Sequence, residues 1–140
     1  MTDRMTAEDS AGRIFDVLAD AGDEGLTKKE IIAATELRDK QFTNGMTWLR
    51  TTLCSEKEQP YSFTPQRAGG GGNTYTLNAD FAPVEEYWLY RLKIAAVQLK
   101  RLLDGTASPA RAKFGGKKIN RLHRYTENLV YELEDIVTGV

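Results

Sequence analysis

The chain has 140 residues, of which 41% are hydrophobic, and its 19 basic and 20 acidic side chains leave a net charge of −1. That length and apolar share fit one compact domain, or a small domain with an appendage, and a pI near 5.9 excludes a uniformly basic nucleic-acid binder. The single cysteine, Cys54, excludes an internal disulfide, is expected as a small core residue and fits a reducing cytoplasm.

The charge is unevenly spread. Residues 1–25 carry a balance of −5, residues 26–78 of +2, residues 79–103 of +1, residues 104–124 of +5 and residues 125–140 of −4. A basic band therefore lies between acidic ends, and folding can gather it on one side. Met1 to Gly25 is acidic and amphipathic and does not read as a signal peptide, and no apolar run approaches a membrane span. No internal repeat is visible.

After a loose start at residues 1–8, Asp9 or Ser10 is expected to cap a first helix that runs to about Asp20. Ile14, Val17, Leu18 and Ala21 form its inner face, with Phe15 near the edge. Gly22 suits the left-handed position just past its end. Thr27 and Glu30 then stand at capping-box spacing, so each can satisfy the other's backbone N–H at the start of a second helix. Ile31, Ile32 and Ala34 supply its apolar face. The helix is expected to stop near Thr35, with Leu37 as the buried residue of the turn.

A third helix is expected from about Lys40 to Leu53, with Asp39 as N-cap. Phe42, Met46, Leu49 and Leu53 fall on one face. The rest of its surface carries Gln41, Thr43, Asn44, Thr47, Arg50 and Thr51, with no acid after Asp39. Amides and guanidinium groups can pair bidentately with adenine and guanine edges, so this surface suits base contacts; a merely polar, solvated face is the alternative. Residues 54–60 form a polar connector. Tyr61, Phe63, Tyr75 and Leu77 then alternate with Ser62, Thr64, Thr74 and Thr76, a period-two pattern whose aromatic face is expected inward. Pro60 and Pro65 mark strand edges. The Gly69 to Gly72 run forms the hairpin tip; without a following Gly-Lys-Ser or Gly-Lys-Thr it is no nucleotide cradle.

This order of elements over residues 10–78 resembles a winged helix-turn-helix, a module that holds duplex DNA. The resemblance rests on element order and names no subfamily. It implies a mainly α fold with a small β-hairpin wing, in a domain covering residues 1–78. It further implies that Arg38, Lys40, Gln41, Thr43, Asn44, Thr47 and Arg50 meet the groove, while Thr27, Lys28 and Arg67 touch the backbone. Leu26 would form a one-residue bridge to the hairpin, and Asp16, Asp20, Asp23 and Glu24 would face away from DNA.

Residues 79–140 form a C-terminal helical region. Pro83 fits the first turn of a helix over about Val84 to Leu103. Val84, Trp88, Leu92, Ala95, Leu99 and Leu102 line it, widened by Tyr87, Ala96 and Leu103, and Gly105 is its expected stop. A loop with Pro109 and Gly115-Gly116 precedes a last helix over Lys117 to Val137, where Ile119, Leu122, Thr126, Leu129, Leu133 and Ile136 recur in steps of three and four. Such near-heptad stripes need cover. In winged regulators an appendage of this kind often pairs two subunits, so the resemblance implies a homodimer through Trp88, Leu92, Leu99, Leu122, Leu129 and Leu133; a fold-back cap on a monomer is the alternative. Arg111, Lys113, Lys117, Lys118, Arg121 and Arg124 cluster around Phe114 and are either further phosphate contacts or a solvated loop balancing the acidic tail.

Enzymatic chemistry is not expected. With one histidine, His123, and one cysteine, the usual zinc ligands cannot be assembled. His123 reads as a surface or interface residue. Neighbouring carboxylates such as Glu85-Glu86 do not face one another on a helix. No catalytic residue, metal or cofactor is therefore expected. The reading is a sequence-specific double-stranded DNA-binding protein, a small prokaryotic or phage transcriptional regulator of repressor type acting as a cytoplasmic dimer. Two rivals stand: a protein-interaction adaptor or inhibitor on the same scaffold, and a plasmid replication or partition factor. Trp48 bears on the first. If exposed beside Trp88 or Phe114 it would mark a protein-binding patch; if buried, the polar helix face is left for DNA.

Overall fold

Thr6 opens the first helix: its hydroxyl accepts from Asp9 N–H at 3.0 Å, and helix α1 runs Ala7–Ala21. The cap thus lies earlier than Asp9 or Ser10, because a hydroxyl in extended backbone at Thr6 already reaches the third helical N–H. Ser10, one turn in, is buried instead. The computed structural model describes residues 5–65, 73–77 and 80–139. They form a mainly α protein with one small antiparallel hairpin.

Gly22 takes a positive φ of 71° where α1 ends. Helix α2 spans Lys28–Thr35, and its reciprocal Thr27–Glu30 cap is present in both directions, at 2.9 and 3.2 Å. Glu36 closes α2 in the left-handed region, and Leu37 is buried in the turn that follows. Helix α3 covers Asp39–Trp48. Its N-cap is Arg38, not Asp39; Arg38 N–H donates to Gln41 Oε1 at 2.9 Å, and Asp39 occupies the first helical turn. The rod does not stop at Trp48. It widens into a π turn over Leu49–Leu53, where Cys54 N–H reaches Leu49 O, and finishes in the short helix α4, Cys54–Glu56.

Strands β1 (Ser62–Thr64) and β2 (Thr74–Thr76) pair with Phe63 opposite Tyr75. Leu26 joins them as a one-residue antiparallel bridge, its N–H and C=O both bonded to Tyr75 at 3.0 and 2.8 Å. The hairpin departs from its expected facing. Ser62 and Thr76 are the buried pair, whereas Tyr61, Phe63 and Tyr75 are half-buried; Leu77 is buried as expected. The reason is space. β2 runs so close to the end of α1 that Thr76 Oγ1 lies 3.5 Å from Gly22 O, and a Cβ at Gly25 would overlap Tyr75 O. Only short side chains fit on that face, and the aromatic rings pack edge-on to one another and to Phe42 on the other. The glycine tip at residues 69–72 and Arg67 lie outside the described residues.

The core of this first unit gathers Ala11, Ile14 and Leu18 of α1, Ile31 of α2, Leu37, Phe42 and Met46 of α3, Leu49, Cys54 and Leu77. Eight of these, the Ile, Leu, Phe and Met side chains, each contribute about 1.5–3 kcal/mol on full burial, before chain entropy is subtracted.

Helix α5 spans Phe81–Leu102. The chain divides into two compact units inside it, between Tyr87 and Trp88. Tyr87 packs edge-on against Tyr61 with centroids 5.4 Å apart, which attaches the first turns of α5 to the first unit. Gly105 does not end the helix. The backbone passes through a second π turn, Leu103–Ala107, into α6 (Ser108–Phe114), with Pro109 in its first turn. Proline lacks only an N–H that a helix start leaves unused, so it does not break the rod here. The true stop is Gly115-Gly116, both at positive φ, before α7 (Lys117–Thr138). Arg111 and Lys113 are consequently helical, not loop residues. Within the second unit α7 packs on α6 and on the Leu103–Ala107 turn. Ala96, Leu103, His123 and Val130 are its buried side chains. His123 is therefore not a surface residue; Nε2 lies 3.1 Å from Ser108 Oγ, which satisfies it inside. No helix among the described residues is long and apolar enough to cross a membrane.

Candidate nucleic-acid interface

The buried face of α3 sets its exposed one. Phe42, Gly45, Met46 and Leu49 turn inward, so residues half a turn away, Lys40, Thr43, Asn44 and Thr47, share the outer face. All four are exposed. Arg38 and Arg50 are exposed at its margins, and Gln41 is half-buried at one edge.

The hydrogen bonds narrow what each group can do. Thr43 Oγ1 donates to Asp39 O at 3.0 Å, Thr47 Oγ1 to Thr43 O at 3.1 Å and Thr51 Oγ1 to Thr47 O at 2.7 Å. With their protons committed to the helix, Thr43 and Thr47 present acceptor lone pairs and methyl groups, which suit a base amino group or a thymine methyl. The Gln41 carbonyl oxygen accepts from Arg38 N–H at the helix start, which engages one of its two lone pairs. Asn44 makes no side-chain hydrogen bond among the described residues and keeps both ends for a partner.

The flanking cations are anchored. Lys28 Nζ stands 3.8 Å from Asp39 Oδ1 and 5.3 Å from the Phe42 ring centre. It joins α2 to α3 while staying half exposed. Arg50 lies over the Tyr61 ring at 5.6 Å. Burial raises the Tyr61 phenol well above its ordinary range, with the Tyr87 and Tyr75 hydroxyls adding to the rise and Arg50 working against it. Thr27 gives its N–H and one hydroxyl lone pair to the cap, and its hydroxyl also bears on the Glu30 carboxylate. The Glu30 carboxyl is held below its usual range by the Thr27 backbone N–H, then by the Thr27 hydroxyl.

Arg111, Lys113, Lys117 and Lys118 belong to the second unit and are exposed there. Lys113 lies over Phe114 at 5.6 Å, and Arg121 donates to Tyr125 Oη at 2.8 Å. Of the expected pairing residues, Trp88, Leu122 and Leu129 are exposed and Leu92, Leu99 and Leu133 are half-buried. Trp48 is 37% exposed at the margin of α3, so most of its ring is covered without being core.

Sequence reasoning passed over Gly45. A Cβ there would stand 2.8 Å from Ser10 Cβ and 2.9 Å from Ile14 Cδ1 of α1. This close crossing fixes which way α3 is turned. A glycine between Asn44 and Met46, inside an otherwise helical run, was the available signal.

Among the described residues no three His, Cys, Asp or Glu side chains converge to hold a metal ion. Comparison with known protein families, with curated proteins and with solved structures finds no match.

Proposed function

We propose that the first unit is a winged helix-turn-helix module that binds duplex DNA by laying α3 in the major groove. The protein then acts as a small dimeric regulator of transcription and not as an enzyme. The observation that carries this reading is the exposed strip Lys40–Thr43–Asn44–Thr47, which bears no acid and has an unengaged amide at its centre. The Leu26 bridge supports it, because it ties the hairpin to the segment entering α2 and so fixes the wing beside the helix pair. Asn44 is assigned to a base edge, Thr43 and Thr47 to base amino or methyl groups, and Lys40, Arg38 and Lys28 to phosphates. Arg67 and the basic residues of α6, Arg111 and Lys113, are assigned to further phosphate contacts, which fix register without carrying sequence information.

Selection from a random duplex library with the full chain at near-physiological salt tests the proposal. Enrichment of one motif, weakened by Asn44→Ala, supports it; no enrichment, with no retention at low salt, overturns it. A protein-binding role is the second reading, favoured by the large apolar side chains exposed on the second unit, Trp88 and Phe114 among them. A plasmid replication or partition factor would use the same DNA contacts.

A further inference from the structure

Helix α7 carries two apolar faces, and the fold uses one. His123 and Val130 are buried, with Ile119, Thr126, Leu133 and Val137 half-buried beside them. About 100° around the helix, Leu122, Tyr125, Leu129 and Ile136 form a second line. All four are exposed, Leu122 at 55% and Leu129 at 49%. Their spacing of three, four and seven is that of a heptad seam, with Lys118 and Glu132 occupying the remaining seam positions. Leu122 also rims an open groove of about 280 Å³ that it shares with Leu102 and Ala110.

The charges along α7 say what covers this line. Lys117, Lys118, Arg121 and Arg124 fill its first third with no acid; Glu127, Glu132, Glu134 and Asp135 fill the remainder with no base. Two copies side by side in the same direction would set base against base and acid against acid. Two copies in opposite directions set each basic end against an acidic one. A helix with this polarity is complementary to itself under a two-fold axis.

We propose that the occupant is α7 of a second copy, packed antiparallel about a two-fold axis near Glu127. In that register Tyr125 faces Leu129 of the other copy, Leu122 faces Glu132, and Lys118 comes beside Asp135. The seam is short, and the opposed charges set its direction. This pairing does not rest on DNA binding, and it holds or fails by itself.

The test is site-specific cross-linking of the full chain in a Cys54→Ala background, with sedimentation as a second readout. Leu122→Cys protein mixed with Glu132→Cys protein should form a disulfide dimer, while neither variant should cross-link alone. In the antiparallel arrangement two Leu122 positions lie about 15 Å apart along the axis, at 1.5 Å per residue. Lys118→Glu should weaken association about tenfold, since each replacement alters both symmetry-related contacts. Asp135→Lys in the same chain should restore it. Cross-linking of each single variant with itself would mean parallel pairing and overturn the proposal. A monomer at concentrations of about 100 μM, above the range of a working dimer, would overturn it as well.

Discussion

Gly45 of α3 and Ser10 of α1 meet where neither helix can approach further: a Cβ on Gly45 would stand 2.8 Å from the Ser10 Cβ. Two opposed terms decide what Gly45→Ala does. Alanine gains about 1 kcal/mol over glycine inside a helix. Overpacking a fixed contact costs about 1–3 kcal/mol. Here the obstacle is a Cβ and the adjoining backbone of Ser10, together with Ile14 Cδ1, and a backbone atom cannot swing aside. The clash wins, so Gly45→Ala should lower unfolding free energy, by up to about 2 kcal/mol, in denaturant titration. Adding Ser10→Gly should recover part of that loss, as contacting residues do in a double-mutant cycle.

The Thr27–Glu30 cap makes a pH prediction with a defined sign. The folded Glu30 carboxyl sits below its ordinary value because it accepts from Thr27 N–H. A depressed folded pKa contributes stability above the unfolded value, and that contribution is lost as pH falls through the folded one. Stability of the wild-type chain should therefore fall more steeply below about pH 4.5 than that of Glu30→Gln. Thr27→Ala should cost about 1 kcal/mol at neutral pH, as loss of an N-cap usually does. Equal acid slopes in wild type and Glu30→Gln would refute the assignment.

How much of this was legible in the residues varies with the range of the force involved. The Thr27–Glu30 cap, the Leu37 turn and the Leu26 bridge were readable, because each follows from local spacing or from a short step to a neighbouring strand. The start of α1 and the continuation beyond α5 were not. Thr6 captures the helix start ahead of Asp9, and the backbone passes Gly105 by opening a π turn on which α7 packs. The hairpin buries its short side chains most deeply for the same kind of reason, while Tyr61 and Tyr75 still pack against the core. Alternation alone favours burying Tyr61, Phe63 and Tyr75, but the closeness of α1 to β2 admits only Ser62 and Thr76. On the candidate interface, residue types pointed to the outer face of α3, whereas the engagement of Gln41, Arg50 and the threonine protons is visible only in three dimensions.

Cys54 gives a second titration. Burial raises its thiol to about 11 from an ordinary value near 9.0. A raised folded pKa for an acid means the unfolded chain ionises first, so stability is intact below the unfolded value and declines as pH climbs from about 9 towards about 11. Cys54→Ala should flatten that decline relative to wild type in melts at pH 8, 9 and 10. Because the thiolate is the reactive form, alkylation of the native chain at pH 8 should also lag far behind alkylation in denaturant. Equal rates would show an open thiol.

The cations around α3 divide into those that hold the fold and those that are left for a ligand. Arg50 is stacked on Tyr61, a contact worth about 0.5–1 kcal/mol at a partly exposed site. Arg50→Ala should therefore lower thermal stability, and its effect on DNA affinity should shrink once measurements are made well below the melting transition. Lys40 has no ion pair or ring contact among the described residues, and Lys40→Ala should leave stability within about 0.5 kcal/mol. On the DNA reading it should weaken binding to all sequences alike and reduce the salt slope by about one. Asn44→Ala should behave differently from both. Removing a bidentate base contact costs about 1–3 kcal/mol on the preferred site and little on random duplex. The pattern to measure is the ratio of specific to non-specific affinity at several salt concentrations. A loss confined to that ratio for Asn44→Ala, beside a uniform loss for Lys40→Ala, assigns the two residues to base and phosphate. Identical losses for both variants would remove Asn44 from base recognition.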